Sequence, residues 1–247
     1  MPRRPSRASD VRRAALTRST LVRCALWACS LLAGGAAQAQ IGASIGVESD
    51  NRFRGVSLSD GQPDLRLSLS YDHDSGAFAG ATATQVEFMR GRHSMQLLGY
   101  AGYVMRVTPG LGIEAGVTSS TFSGNTRYDY TEVFAGVLSE RWSLRAYYAA
   151  DYFGFGQHTA YVELDANAPL TPRLRLFGHV GALSALGGVA NDAPGRTRTD
   201  LRVGLGFGAL AWVDVQLAWV TATRGGPYVV EYSTRRNTFV LSALASF

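Results

Sequence analysis

The sequence runs to 247 residues, with 24 basic against 19 acidic side chains, a formal charge of +5 and a pI near 9.5. Seven of the basic residues and one acid precede Gln40, which leaves 17 against 18 and a balance of −1 for the rest. The basic pI is thus a property of the leader and gives no support to nucleic-acid binding. Both cysteines, Cys24 and Cys29, also precede Gln40, so disulfide and thiolate chemistry are excluded from residues 40–247.

In chain order, Arg3, Arg4, Arg7, Arg12, Arg13, Arg18 and Arg23 come first, followed by a short apolar run from Cys24 to Ala33 and then small residues. This is the layout of a secretory signal peptide, and Ala37-Gln38-Ala39 supplies the small-x-small cleavage pattern. We expect residues 1–39 to be a cleaved signal peptide and residues 40–247 to form one domain. The run is too short for a membrane helix, which needs about 20 apolar residues. No later apolar run reaches that length either, so a membrane protein of this sequence must be a barrel.

From Leu65 to Tyr71 the chain alternates apolar residues (Leu65, Leu67, Leu69, Tyr71) with polar ones (Arg66, Ser68, Ser70, Asp72). A period of two marks a strand with one apolar and one polar face. The pattern returns at Leu174, Leu176 and Val180, and again at Leu201, Val203, Leu205 and Phe207. It predicts about twelve strands of roughly 8 to 12 residues, long enough to span a bilayer when tilted. Their expected bounds are 41–48, 64–72, 77–88, 95–106, 111–122, 129–138, 142–152, 158–168, 173–184, 199–208, 212–221 and 237–247.

Compact turns such as His73-Asp74-Ser75-Gly76 and Thr108-Pro109-Gly110 alternate with the connections 49–63, 89–94, 123–128, 153–157, 185–198 and 222–236. Short periplasmic turns opposite longer external loops are expected of an outer-membrane barrel. Phe78 and Phe88 lie ten residues apart, as do Trp142 and Tyr152, and ten steps at a tilt of about 40° cover roughly the 25 Å apolar band. Tyr71, Tyr103 and Phe207 are expected in the periplasmic girdle, and Trp219 in the outer one. Phe239, Leu241, Ala243, Ala245 and the terminal Phe247 share one parity, as in the closing strand that barrel-assembly machinery engages. The predicted fold is therefore all-β: a transmembrane antiparallel up-and-down β-barrel of about 12 strands behind a cleaved N-terminal signal peptide.

Faces opposite the apolar ones would line the lumen. They carry Arg66, Asp72, Glu87, Arg106, Glu114, Glu132, Arg145, Asp151, Glu163, Asp165, Arg173, Arg175, His179, Asp200, Arg202 and Asp214. Charges at this density require water or opposite charges. Either they form a polar channel that sorts solutes by field, or they pair across the lumen and plug it, since barrels of eight strands are already filled by side chains. The segment Arg52-Phe53-Arg54-Gly55 sets two guanidiniums around an aromatic ring and a glycine that allows a tight bend. It could fold inward as a constriction or bind anionic groups of solutes or lipopolysaccharide. It could equally be a loop pinned by Asp50 or Asp60. Gly204, Gly206 and Gly208 fit a strand that leaves room for large neighbours rather than a nucleotide site.

Catalysis and metal binding have little to stand on. His73, His93, His158 and His179 are the histidines; none has a recognisable serine and acid partner, and no two fall at ligand spacing. We expect no enzyme, no cofactor and no metal. The alternatives to a passive pore are a non-conducting structural or ligand-binding barrel and, further off, an outer-membrane acyl-chain enzyme.

The stretch from Ser49 to Pro63, SDNRFRGVSLSDGQP, followed by a strand ending at Tyr71, resembles the opening motif of the TorF-type porin family, the Gcw_chp conserved hypothetical outer-membrane proteins. Tyr128 to Gly136 and the Tyr147-Tyr148 and Asp151-Tyr152-Phe153-Gly154 segments resemble its central part. Three positions depart from the pattern: Asn51 stands where an aromatic is usual, Leu58 where Gln is common, and Asp64 where a small residue follows the proline. The resemblance implies an outer-membrane porin of a Gram-negative bacterium. Its partners would be membrane lipid and lipopolysaccharide, the assembly machinery through Phe247, and small solutes, with no nucleic acid.

Overall fold

The computed structural model describes residues 40–89, 92–187, 196–227 and 236–247. The expected signal, 1–39, lies outside the described residues, as do the tips of the loops expected at 89–94, 185–198 and 222–236.

Among the described residues fourteen strands follow in chain order: β1 (Gln40–Glu48), β2 (Arg52–Phe53), β3 (Val56–Ser57), β4 (Asp64–Asp72), β5 (Ala77–Met89), β6 (Arg92–Thr108), β7 (Leu111–Phe122), β8 (Tyr130–Ser139), β9 (Trp142–Ala149), β10 (His158–Pro169), β11 (Leu174–Gly187), β12 (Thr197–Leu210), β13 (Val213–Ala222) and β14 (Thr238–Ser246). Strands β2 and β3 form a small hairpin of their own, and the other twelve close into one antiparallel barrel. Each barrel strand pairs with its neighbour in sequence, and β1 seals the ring between β4 and β14.

Alternation explains this closure. Residues directly opposite across an antiparallel pair share a face, so one register fixes which side every side chain takes. Val47 faces Leu65 and Ile45 faces Leu67 between β1 and β4, and Leu67 in turn faces Ala83 of β5. The same outward row carries Leu176 beside Leu205 and Leu217 beside Leu241. These large apolar side chains are exposed, an arrangement that water penalises and lipid does not.

Exposed aromatics mark both ends of the outward face. Tyr71, Tyr103, Trp142, Phe207, Trp212 and Phe247 lie toward the short-turn end, where Trp212 stacks on Phe247 at 6.2 Å. Tyr148, Trp219 and Phe239 lie toward the long-loop end, with Trp219 opposite Phe239. Gln40 and Phe247 share the turn end, as an even strand number requires.

Two expectations about this face need correction. The strand expected to run to Tyr152 ends at Ala149, and Tyr152 turns into the barrel, where it is 1% exposed. Phe78 also points inward, its ring 6.3 Å from Tyr100 and 6.5 Å from Phe134. In β5 both faces are weakly apolar, and the neighbours' registers set the alanines outward and the Phe78 row inward. The side chain of Phe88 lies outside those described.

Candidate functional site

The connection between β1 and β4 folds inward, and its hairpin turn brings Arg54 into the barrel. Arg52 faces Ser57 and Phe53 faces Val56, leaving Arg54-Gly55 as a two-residue turn with φ of 48° and 74°. Positive φ at both central residues is the tight hairpin geometry that favours Asn-Gly. An arginine at the first position is strained there by about 1–2 kcal/mol. Asp50 holds the hairpin's base: Arg52 Nε donates to its Oδ2 at 2.6 Å and Ser57 Oγ to its Oδ1 at 2.5 Å. Leu58 N donates to Asn51 O, and Glu87 N on β5 donates to Leu58 O.

Arg54 then spans to β8. Its two terminal nitrogens donate to Glu132 Oε1 and Oε2 at 2.8 and 2.7 Å, with both side chains almost wholly buried. The guanidinium carbon lies 4.1 Å from the ring centre of Tyr161 and 4.8 Å from that of Phe53, with Tyr147 and Tyr152 slightly farther. Burial by itself would lower the pKa of Arg54, but the neighbouring phenol of Tyr152 and the Glu132 carboxylate raise it well above the ordinary arginine value. Gly55 packs against the far wall, where a Cβ would stand 2.5 Å from Ala222 Cβ and 2.8 Å from Asp200 Cβ. Arg198 of β12 donates to Gly55 O at 3.2 Å. The loop thus touches β5, β8, β10 and β12, bracing the lumen from side to side.

Around the brace the loop-end half of the lumen holds an apolar cluster. Val56 and Leu58 pack with Val86, Phe122, Tyr130, Tyr152, Phe153 and Leu183. Phe153, at φ 54°, sets its ring 4.7 Å from Tyr130 and 5.8 Å from Phe122.

Toward the turn end lies a cavity of about 610 Å³, roofed by Phe53, Arg54 and Gly55. Its walls are charged, and most charges are paired. Among its lining residues Arg175 grips Asp214 through both terminal nitrogens, and elsewhere in the lumen Arg66 binds Glu48 at 2.7 Å and Arg145 binds Glu114 at 2.5 Å. Glu163 accepts from Tyr147 Oη at 2.9 Å. His179 Nδ1 lies 2.8 Å from Asp165 and Nε2 lies 2.9 Å from Asp200. Glycines make this packing possible: the Phe177 ring lies over Gly204 and the Arg175 guanidinium over Gly206, each within 2.6 Å of where a Cβ would be.

Of the residues expected to line the lumen, Arg66, Asp72, Glu114, Glu132, Arg145, Glu163, Arg175, His179 and Arg202 take inward positions in the register. Asp72 does so at the exposed turn end. Three fall outside the inward strand positions. Glu87 falls on the outward parity of β5 at the loop-end rim, opposite His93. Asp151 lies beyond the end of β9, in a loop where its Oδ1 accepts from Gly156 N at 2.6 Å. Arg173 belongs to the turn before β11, its carbonyl accepting from Gly208 N. In the loop motif, Arg52 is pinned by Asp50 while Phe53, Arg54 and Gly55 fold inward.

Tyr147 and Tyr161 also face the lumen, beyond the charged residues expected there, and Tyr161 shares its parity with Glu163 and Asp165. Among the described residues, Glu163, Asp165 and His179 are a group whose ligand-type atoms lie within 4.8 Å of one another. The two carboxylates and the imidazole meet only through the β10–β11 register, so sequence spacing could not reveal them. Asp165 and Asp200 engage both nitrogens of His179.

A family model described as bacterial protein of unknown function (Gcw_chp) matches residues 32–245. The chain belongs to the Gcw_chp family. This Gcw_chp barrel is similar to the solved structure titled "KdgM porin", at 12% identity and a TM-score of 0.53, over 83% of this chain and 99% of that one. It is also similar to a NanC porin structure, at 10% identity and a TM-score of 0.51, over 84% and 98% of the two chains. At such identities the likeness concerns the fold. No curated protein matches the sequence.

Proposed function

We propose that this Gcw_chp barrel is a porin: a passive diffusion channel for small hydrophilic solutes or ions in the outer membrane of a Gram-negative bacterium, narrowed by the inward loop 49–63. On this reading residues 1–39 are the export signal. The outward apolar band meets membrane lipid and lipopolysaccharide, and Phe247 is the handle for the assembly machinery. One observation carries the proposal: a closed barrel with apolar residues outside encloses a charged, polar cavity of about 610 Å³. Such walls are stable where water reaches them, and water-filled charged walls conduct. The resemblance of residues 49–63 to the TorF-type opening motif supports the same reading.

The test is current through planar bilayers holding the chain purified from outer membranes. Stepwise ohmic currents, with a reversal potential that shifts in a salt gradient, are expected. A second reading has its own observation, the Arg54–Glu132 brace with its aromatic packing. A heat-modifiable, correctly closed barrel that gives no steps would establish that non-conducting reading instead.

A further inference from the structure

Arg52, Arg54, Arg66, Arg145, Arg175 and His179 each have a carboxylate within hydrogen-bonding distance. Arg202 differs. Its Nε is buried without a partner, and among the described residues no carboxylate reaches its guanidinium. Glu48 and Asp165, whose charges act on Arg202, are held by Arg66 and His179. The guanidinium carbon stands 5.5 Å over the Phe177 ring, whose Cζ occupies the space where a Gly204 side chain would begin. From that platform Arg202 faces the cavity, where Asn167 and Gln216 add amide groups.

We propose that Arg202, seated on Phe177, is a lumenal binding site for the carboxylate of a small monoanionic solute. A guanidinium presents a planar fork that matches a carboxylate, and a ring beneath it holds the fork's orientation. One guanidinium with no carboxylate in hydrogen-bonding range matches one carboxylate. A dianion such as phosphate would carry its second charge toward Glu163, Asp165 and Asp200, which line the same cavity. The volume is of the size that takes small ligands. The proposal deepens the channel reading and rests on it to the extent that a solute must reach the lumen.

The test uses the full chain purified from outer membranes in detergent, with sodium lactate as probe and inorganic phosphate and glycerol at matched ionic strength. Saturation-transfer NMR reads binding, and the same preparations are assayed in planar bilayers. Lactate is expected to bind saturably and more tightly than phosphate. Arg202→Gln should weaken it by roughly tenfold or more, the usual loss when a charged hydrogen bond is removed. Arg202→Lys, which keeps the charge but not the fork, should bind at an intermediate level. No lactate binding by the wild type, equal binding by Arg202→Gln, or phosphate binding at least as tight would each overturn the proposal. Should Arg202→Gln fail to show the heat-modifiable band of a closed barrel, Arg202→Lys decides alone, and unweakened binding by it overturns the site. Conductance without lactate binding sinks this site and spares the channel, whereas lactate binding lost in Arg202→Gln without conductance does the reverse.

Discussion

Replacing Glu132 by alanine removes the anchor of the inward loop while leaving the barrel ladder intact. Glu132 sits mid-face on β8, and its backbone pairing with Thr118 and Ala149 does not depend on its side chain. What remains is the Arg54 guanidinium, buried and without its bidentate partner. Breaking a buried pair from one side costs about 3–5 kcal/mol. Because the loop can relieve that cost by swinging outward, the penalty falls on loop closure rather than on the barrel. At about 1.4 kcal/mol per tenfold, the closed-to-open ratio should drop by roughly two to four orders of magnitude. Trypsin reads this directly, since it cleaves after arginine and both Arg52 and Arg54 are protected in the closed loop. Glu132→Ala is expected to be nicked at these residues far faster than wild type, to keep the heat-modifiable band of a closed barrel, and to give larger single-channel steps. Unchanged protection together with unchanged current would refute the idea that this ion pair holds the constriction.

Three further outcomes are expected. Gly55→Ala should free the loop as well, because the new Cβ meets two wall β-carbons at 2.5 and 2.8 Å and the position has φ of 74°; overpacking and strain cost about 1–3 kcal/mol each, read by the same digestion. Leu67→Arg on the outward face of β4 should destabilise refolding into lipid by about 2–4 kcal/mol, while Ser68→Arg, one residue on and facing the lumen, should cost far less in the same denaturant titration. Since the pKa of Arg54 is raised well above the ordinary arginine value, stability from its charge is fully present below that ordinary value and lost only as pH rises through the higher folded one. Trypsin protection should therefore hold from pH 7 to about 10.

Much of the barrel was legible because its information is local. Alternation fixed β4 and β7 to the residue, at Asp64–Asp72 and Leu111–Phe122. It failed where both parities look alike: β5 has alanines on one side and Phe78, Gly80 and Thr82 on the other, and only pairing with Leu67 and Leu69 decides between them. It failed again past Ala149, where the pattern continues to Tyr152 but the chain turns inward through a residue at positive φ, Phe153. The site was the least legible part, because its contacts are long in sequence. Arg54 and Glu132 lie 78 residues apart, and His179 meets Asp165 and Asp200 only through two strand registers. Two of the three departures from the family motif proved to be partners: Asn51 Nδ2 donates to Asp64 Oδ2 at 2.9 Å. Asp64 in turn accepts from Gln85 N, tying the root of the loop to β5.

The lumen is thus divided by one short hairpin into regions of opposite character. On the loop-end side, aromatic and aliphatic residues surround the buried Arg54–Glu132 pair. On the turn-end side, charged residues line an open cavity. A purely structural turn at residues 54–55 would do better with Asn-Gly, since arginine is strained in that conformation. The strain is sustained only because the side chain reaches a carboxylate across the barrel, so the turn's sequence is set by the brace and not by the hairpin. The connection that folds into the lumen is fixed by side-chain pairs at its tip and root, while the twelve-stranded wall is fixed by backbone hydrogen bonds. Passage through this barrel should accordingly be adjustable at Arg54, Gly55 and Glu132 without loss of the fold.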